Sequence, residues 1–264
     1  MSDLLTFPAA HGASGAALPT EPIGSRRYEV RFAKSPQELE QVLRLRYEVF
    51  NLELNEGLDG AHLSGKDEDQ FDRRFHHLMI LERQTGAVVG TYRMQTAEMG
   101  AAGGFYSAGL FDLDLLPEPI LYSAVEVGRA CIAKPHRNGR VLHLLWRGLA
   151  AYLMWNRKTR LFGCCSLTSQ DEGLGAALHG HLEALDALHP TLRVLPHAEK
   201  ACATPRSGDS VSPPRIPALF QAYLTLGARA LGPPAIDREF KTIDWLVLLD
   251  VQDLDGLTFR TFFR

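Results

Sequence analysis

The sequence has few cysteines, and none of them forms the C-x-x-C spacing of zinc and redox sites. The four are Cys131, Cys164, Cys165 and Cys202, and two of them are adjacent within an apolar segment. This usage is typical of reduced thiols and argues against a disulfide framework. We therefore expect a cytoplasmic protein that has no metal site.

Long apolar runs are also missing from the sequence. No segment approaches the roughly 20 uninterrupted apolar residues that span a bilayer, so any contact with the inner membrane should be peripheral. The first 25 residues are rich in Ala, Gly, Pro and Ser and lack the basic start and apolar run of a secretory signal. We expect residues 1–25 to form a flexible tail and residues 26–264 to form a single domain.

An excess of either charge is absent as well. The net charge of the 264 residues is −3, which does not indicate binding to nucleic acid. Hydrophobic residues make up 45% and charged residues 22% of the chain. These values are typical of a globular protein with a full core, and they exclude wholesale disorder or a fibrous repeat.

The stretch from Leu121 to Pro135 is the element around which the chain is organised. Its small and β-branched residues alternate as in a buried strand, yet it contains Glu126 and Arg129 where a central strand should be apolar. Gly128 lies between them, and a glycine inside a strand often marks a β-bulge. One extra residue there would turn both charged side chains toward the same cavity and splay the sheet beside them.

A splayed strand exposes unpaired backbone amides. Such amides are suited to hold the carbonyl oxygen of a thioester, and Glu126 is suited to take a proton from an attacking amine. The alternative is that Glu126 and Arg129 form a buried ion pair that only ties two strands together. This stretch alone favours neither interpretation.

The remaining patterns predict a mixed α/β fold. Ser35, followed by Pro36 and Glu38, predicts the start of a helix that carries Arg46 on or beside its apolar face. A helix within Val141–Trp155 should connect the central strand to a parallel one. The other predicted strands are Tyr28–Ala33, His77–Glu82, Ala87–Met94, Leu161–Ser166 and one within Asp237–Asp250, and a further helix is predicted over Pro217–Leu231.

An irregular acidic loop, Asn51–Arg74, follows the first helix and includes Asp69 and Asp72. One interpretation is that Asp69 or Asp72 folds inward to neutralise arginines such as Arg46, Arg93 and Arg129. The other is a solvated acidic turn. A calcium loop is disfavoured because the glycine at its sixth position and its terminal glutamate are missing.

A glycine turn, Asn138-Gly139, separates the central strand from the helix that follows it. A strand, a glycine turn and a helix N-terminus together make an anion site from orphan amides and the helix dipole. Arg137 and Arg140 flank the turn and would strengthen the binding of a phosphate.

Several segments resemble, in the same order, the bacterial ornithine N-acyltransferases, which are hemolysin-like, GNAT-fold acyltransferases. The segments are LRLRYEVF, the loop ending QFD, GTYRM, VEVGRACI, LFGCCS and the tail from IPALFQAYL to IDWLVLLD. The acyl-homoserine-lactone synthases and N-acyl amino acid synthases are more distantly similar. The resemblance implies a GNAT-like fold for residues 26–264, with splayed central strands flanked by helices. It also implies transfer of a long, often 3-hydroxylated acyl chain from acyl carrier protein to the α-amino group of ornithine, which gives a lyso-ornithine lipid.

The resemblance, together with the splayed strand and the glycine turn described above, predicts roles for particular residues. The residues expected at the reaction centre are Glu126, Arg129, Arg93 and Asp72, and the acid of the central strand is the favoured base. Those expected at the acyl donor are Cys131, Ile132, Arg137, Gly139, Arg140 and Ser166. Those expected to position the acceptor are Arg46, Phe50 and Asp69.

The glycine turn departs from the pattern of members that use coenzyme A. Those members show R-x-x-G-x-G or a close variant, whereas this chain reads RNGRV from Arg137. A phosphopantetheine arm carries one phosphodiester and needs fewer amides, so acyl carrier protein is the expected donor and partner, with acyl-CoA as the second possibility. No resident cofactor is expected. The sequence is also compatible with a different amino-acid acceptor, as in an N-acyl amino acid or acyl-homoserine-lactone-type synthase, and with a non-catalytic, membrane-active protein.

Overall fold

A mixed sheet of nine strands is the centre of the fold. The computed structural model describes residues 18–21, 23–202 and 212–263, so most of the expected tail and part of the loop after Val194 lie outside the described residues. The strands are β1 (Ile23–Gly24), β2 (Tyr28–Phe32), β3 (His76–Glu82), β4 (Val88–Thr96), β5 (Ala124–Ile132), β6 (Arg160–Leu167), β7 (Arg229–Ala230), β8 (Ala235–Asp237) and β9 (Thr242–Asp250). Their order is β1-β2-β3-β4-β5-β6-β9-β7, and β8 pairs with β9.

One pair of strands in this sheet is parallel, as the sequence predicted. β5 and β6 run parallel, while every other pair in the described sheet is antiparallel. The crossover is the long helix α5 (Arg140–Asn156), which satisfies the need of parallel strands for a connection of a dozen or more residues. The expected mixed α/β sheet is therefore confirmed.

Helices cover both faces of the sheet. They are α1 (Pro36–Tyr47), α2 (Ala61–Ser64), α3 (Ala97–Gly103), α4 (Glu118–Tyr122), α5, α6 (Glu172–Ala184), α7 (Ala218–Thr225) and α8 (Gly256–Phe263), and a π-helical turn, Glu48–Glu53, extends α1. α5 packs on one face of β2, β3 and β4, where Val141 and Leu145 join the main core. α1 lies on the opposite face, where Arg46 meets Arg93 of β4 through a shared aspartate. None of the helices in the described part of the chain has the length and apolar character that a bilayer crossing requires.

The start of α1 follows the predicted capping pattern. The Ser35 hydroxyl accepts a hydrogen bond from Glu38 N at 3.2 Å, and Pro36 occupies the first turn. Because Pro lacks an amide hydrogen, it removes one donor that the helix would otherwise leave unsatisfied.

Two elements are shorter in the structure than the sequence predicted. The central strand begins only at Ala124, since Leu121 and Tyr122 end α4. The helix predicted over Pro217–Leu231 ends at Thr225, because Gly227 adopts φ +92° and the chain then pairs with β9 through Arg229 and Ala230. Sheet pairing overrides helix propensity there.

Candidate active site

β5 and β6 separate after three paired residues. Residues Ala124 to Glu126 pair with Arg160 to Phe162, and no pairing between the two strands continues beyond Glu126 in the described residues. Along this gap the backbone groups of β5 and β6 therefore do not hydrogen-bond to each other. Each strand still pairs on its other side, β5 with β4 and β6 with β9. The predicted splay is present, and it creates a slot with backbone donors and acceptors on its walls.

A β-bulge lies on the β5 side of the slot. Thr91 pairs with Cys131 and Arg93 pairs with Gly128, so Arg129 and Ala130 together oppose a single residue of β4. Arg129 carries the strain of the bulge, with φ +48°, which is uncommon for a residue that has a Cβ. In the sequence, Gly128 indicated the bulge. In the structure, the residue with the left-handed backbone conformation is the next one, Arg129. The bulge gives the expected result, since Glu126 and Arg129 line the same cavity.

The cavity has a volume of about 580 Å³ and reaches both faces of the sheet through the gap. Its volume is in the usual range for small-molecule sites. One part is apolar and is lined by side chains such as Leu142, Leu145, Phe220 and Tyr223 from α5 and α7. The other part is charged and is lined by Glu56, Arg93, Glu126, Arg129 and Asp244. Such a cavity suits a ligand with a long apolar chain and a charged head.

Glu126 is fixed at the cavity wall by four hydrogen bonds. Oε1 accepts from Ser107 N and Ser107 Oγ, each at 2.7 Å, and Oε2 accepts from Gln95 Nε2 at 2.7 Å and Tyr106 N at 3.1 Å. The residue is only 2% exposed. These donors fill the acceptor positions of the carboxylate. Glu126 and Arg129 make no ion pair with each other in the described structure. The alternative of a buried ion pair that only ties two strands together is therefore wrong.

Behind the cavity wall, the acidic loop folds inward onto three arginines. Arg46 donates from Nε to Asp67 at 2.7 Å and from Nη1 to Asp72 at 2.6 Å, and all three side chains are fully buried. Burial alone would raise the pKa of Asp72, but Arg46 and Arg93 hold it well below its ordinary value. The interpretation of the loop as an inward-folded neutralising segment is therefore correct.

Asp69 connects this network to the cavity. It accepts from Arg93 Nη1 at 2.7 Å and from Arg129 Nη2 at 3.2 Å. The guanidinium of Arg129 also lies 3.8 Å from the ring centroid of Phe240 and 4.7 Å from that of Tyr106. Aspartates and aromatic rings thus fix the bulge arginine from several sides.

The structure brings nine of the thirteen residues expected at the site to the cavity. They are Glu126, Arg129, Arg93, Cys131, Ile132, Arg137, Gly139, Ser166 and Phe50. Arg46, Asp69, Asp72 and Arg140 do not line it. The first three stand behind Arg93 and Arg129, where they orient those arginines and do not reach a ligand in the cavity. Arg140 is exposed at the start of α5.

Two acids of the cavity wall were not among the expected site residues. Asp244 comes from β9, and Glu56 comes from the segment after the π-helical turn; they are 2% and 6% exposed. Burial raises the pKa of Asp244 to about 7, and the nearby Asp237 and Glu56 add to the rise, while hydroxyls of Ser166 and Thr242 oppose it. Burial likewise raises the pKa of Glu56. An acid inside the apolar stretch DWLVLLD was the available signal, and it is the same signal that drew attention to Glu126.

Three cysteines also line the cavity, and they are unsuited to act as nucleophiles. Burial raises the pKa of Cys131, Cys164 and Cys165 far above the ordinary thiol value. Since the thiolate is the reactive form, these side chains remain neutral thiols at physiological pH. Burial of the three thiols therefore argues against an acyl-cysteine intermediate at these positions.

The glycine turn before α5 is partly occupied by internal contacts. Gly139 adopts φ +82°, and Arg140 N donates to Asn138 Oδ1 at 3.1 Å. The guanidinium of Arg137 donates to both carboxylate oxygens of Glu53, at 2.5 and 2.8 Å, and to Ile132 O at 2.9 Å. Little of the Arg137 donor set is therefore left for a phosphate.

Comparison with known proteins adds the family context. The model of the acetyltransferase (GNAT) domain matches residues 45–147, which include the acidic loop and β5, and the expected GNAT-like fold is confirmed. A curated L-ornithine N(alpha)-acyltransferase from Rhodobacter capsulatus is 32% identical over 247 residues, covering 85% of this chain and 90% of that protein. The enzyme of the same name from Brucella abortus is 30% identical over 276 residues, covering 97% and 95%. Among solved structures, the AHL synthase LasI covers 89% of this chain and 94% of its own, with 14% identity and a TM-score of 0.48.

Proposed function

Since this chain belongs to the family of the L-ornithine N(alpha)-acyltransferases, we propose that its cavity joins an acyl chain from a thioester to the α-amino group of ornithine. The observation that supports this most is the division of the cavity into an apolar and a charged part along the gap between β5 and β6. A fatty chain and a charged amino acid require opposite surroundings. The product is an N-acylornithine, a lyso-ornithine lipid.

The thioester arm is proposed to lie in the slot between the two strands. Its amide groups pair there with backbone groups that β5 and β6 do not offer to each other, and a strand amide near Cys131 polarises the thioester carbonyl. The acyl chain extends into the apolar part, between α5 and α7. We assign acyl carrier protein as the donor because Arg137 is held by Glu53 and one amide of the turn is held by Asn138. That leaves few donors for a pyrophosphate, whereas a phosphopantetheine arm has a single phosphodiester.

The transfer is proposed to be a single displacement in a ternary complex. The lone pair of the α-amine attacks the thioester carbonyl carbon, a C–N bond forms, and the C–S bond breaks. The amine gives up one proton and the departing sulfur takes one, so the products are an amide and a free thiol. An α-amine has a pKa near 8, so removing its proton is easy near neutral pH. Holding the amine close to the thioester carbonyl should therefore contribute more to the rate than removing the proton.

Glu126 and Arg129 are proposed to act on the acceptor from the charged part of the cavity. Glu126 is the proton acceptor, through Oε2, which takes the longest of its four hydrogen bonds, 3.1 Å from Tyr106 N. That donor must give way as the amine approaches. Arg129 binds the α-carboxylate of the acceptor with donors that Asp67 and Asp69 leave unused. Arg46, Asp69 and Asp72 position the arginines and touch no substrate.

The proposal is tested by mass spectrometry of a reaction of the purified chain. It is supplied with 3-hydroxyacyl carrier protein and ornithine, and in parallel with the coenzyme A thioester of the same acyl chain. N-acylornithine together with released holo-carrier protein is the expected result. Product from coenzyme A alone would refute the donor assignment, and product with another amino acid alone would refute the acceptor. Heat-inactivated protein is the control for uncatalysed aminolysis.

A further inference from the structure

Asp244 presents an unsatisfied oxygen at the charged part of the cavity. Its Oδ2 accepts from Thr242 Oγ1 at 3.1 Å, and the Ser166 hydroxyl is near enough to lower its pKa, but Oδ1 has no partner in hydrogen-bond geometry among the described residues. The side chain is 98% buried, and it lines the cavity. A buried carboxylate oxygen without a donor is costly to the folded state, so its retention in a ligand cavity indicates a ligand that supplies the donor.

Glu56 is the second acid of this part of the cavity. It accepts one hydrogen bond from the Thr168 hydroxyl. Its repulsion contributes to the raised pKa of Asp244, so the two carboxylates share one electrostatic environment. Neither of them forms an ion pair with a cation in the described part of the chain.

The charges around the cavity leave these two acids without a counterion. The three arginines on this face are matched by three aspartates, since Arg46, Arg93 and Arg129 pair with Asp67, Asp69 and Asp72. Glu126 is satisfied by four uncharged donors. Asp237 is satisfied by the Tyr106 hydroxyl at 2.8 Å and by two backbone amides. Asp244 and Glu56 therefore remain as a surplus of negative charge facing the cavity.

We propose that Asp244 and Glu56 form a subsite for the side-chain ammonium of a diamino-acid acceptor. The subsite selects basic over neutral amino acids, and it rests on the proposed acyl transfer. A bound ammonium supplies the donor that Asp244 Oδ1 lacks and the positive charge that the pair lacks. With Arg129 at the α-carboxylate and Glu126 at the α-amine, each charged group of the acceptor then has a partner of opposite charge.

The test compares two acceptors that differ only in the ammonium. Ornithine and norvaline have the same carbon chain, and norvaline ends in a methyl group. For the full-length protein with one acyl donor, kcat/KM is expected to be at least about thirtyfold higher for ornithine, the range found for desolvated charge pairs. Asp244→Asn should lower that preference at least about tenfold through the KM for ornithine, and kcat/KM for norvaline should stay within about threefold of the native value.

Asp250→Asn is the matched control for this substitution. Asp250 lies six residues further along β9, pairs with Arg160 and does not line the cavity, so the preference for ornithine should be unchanged. Glu56→Gln is the second variant and should also reduce the preference. If Asp244→Asn does not fold, Glu56→Gln and the two acceptors with the native protein still decide the question.

Several outcomes would overturn the subsite. Equal rates with ornithine and norvaline in the native protein would refute it, while the acyl transfer itself would stand. Equal losses for both acceptors in Asp244→Asn would place Asp244 in the reaction or in the stability of the fold. No transfer to either acceptor would instead refute the proposed function, and the subsite with it.

Discussion

Gly163 of β6 touches the backbone of Val127 of β5 at the point where the two strands begin to separate. A Cβ at residue 163 would overlap the Val127 carbonyl oxygen, and that oxygen belongs to the backbone and cannot turn aside. The close approach immediately follows the last paired residues of the two strands. The opening of the slot is therefore set by a residue that has no side chain.

Gly163→Ala should push β5 and β6 apart. We expect a loss of about 1–3 kcal/mol in the free energy of unfolding, the usual cost of overpacking. Acyl transfer should fall by about a hundredfold, since the slot positions the thioester. Gly128→Ala is the control for the stability measurement, because a Cβ there meets no atom within 4 Å and its φ is not positive. Equal denaturation midpoints for the two variants would contradict the role of Gly163.

Arg46→Met should destabilise the protein strongly. The substitution leaves Asp67 and Asp72 buried with part of their positive partners removed, and breaking a buried ion pair in this way costs about 3–5 kcal/mol. Activity should also fall. Asp72 accepts a hydrogen bond from Arg93, which lines the cavity, so a displaced Asp72 would also displace Arg93. Arg44→Met, two residues earlier on α1, removes an exposed pair with Glu40 and should change stability little. Urea unfolding of both variants checks the prediction.

The sequence predicted those features whose cause is local. The cap at Ser35 and the alternation of β5 each depend on residues that are near one another in the chain. The acid and the arginine of β5 were conspicuous as two charges in an apolar strand, and Gly128 between them indicated the bulge that would turn both toward one cavity. The inward fold of the acidic loop was one of two open interpretations, and the burial of Arg46 decides between them.

The parts that the sequence did not predict depend on distant pairing. Asp244 reaches the cavity because β9 returns from the end of the chain to pair with β6, so that Asp244 stands opposite Ser166. No pattern of spacing in the sequence predicts that Asp244 lies opposite Ser166. The four donors around Glu126 likewise come partly from residues 106 and 107, in a loop without a regular pattern.

Glu126→Gln should reduce both activity and stability. An amide places an NH2 group where one carboxylate oxygen accepted two hydrogen bonds, so at least one of the Ser107, Tyr106 and Gln95 donors faces another donor. An unsatisfied buried donor costs about 1–3 kcal/mol. The role as base is read from kcat with ornithine at saturating donor, which should fall at least about a hundredfold in the variant. An unchanged kcat would end the assignment of Glu126 as the base.

Asp244 should make the unliganded protein less stable as the pH rises. Its pKa is about 7 in the folded chain and near 3.9 in the unfolded chain, so between these values the folded state binds more protons. Stability is therefore lost as the pH rises from about 4 to 7, by up to about 4 kcal/mol. Asp244→Asn removes this loss, and its Tm relative to native should increase between pH 5 and pH 8. His77, whose pKa burial and Arg46 lower to about 4, acts in the opposite direction, but it is common to both proteins.

Asp250→Asn is again the control for that comparison. Asp250 forms an ion pair with Arg160 at 2.5 Å near the protein surface, so its loss should shift the Tm by a similar amount at both pH values. A Tm difference between native and Asp244→Asn that is independent of pH would show that Asp244 has an ordinary pKa.

Arg140→Glu should weaken the docking of the carrier protein without affecting the acceptor. Arg140 is exposed at the mouth of the glycine turn, whereas the neighbouring Arg137 is engaged by Glu53, so Arg140 is the residue of the pair that is open to an acidic partner. Reversing a charge at the rim of an interface mainly slows association and makes it less sensitive to salt. We expect the KM for acyl carrier protein to rise about tenfold while the KM for ornithine stays constant. Arg193→Glu, an exposed arginine on the loop after α6, is the charge-matched control. A rise confined to the KM for ornithine would contradict this docking surface.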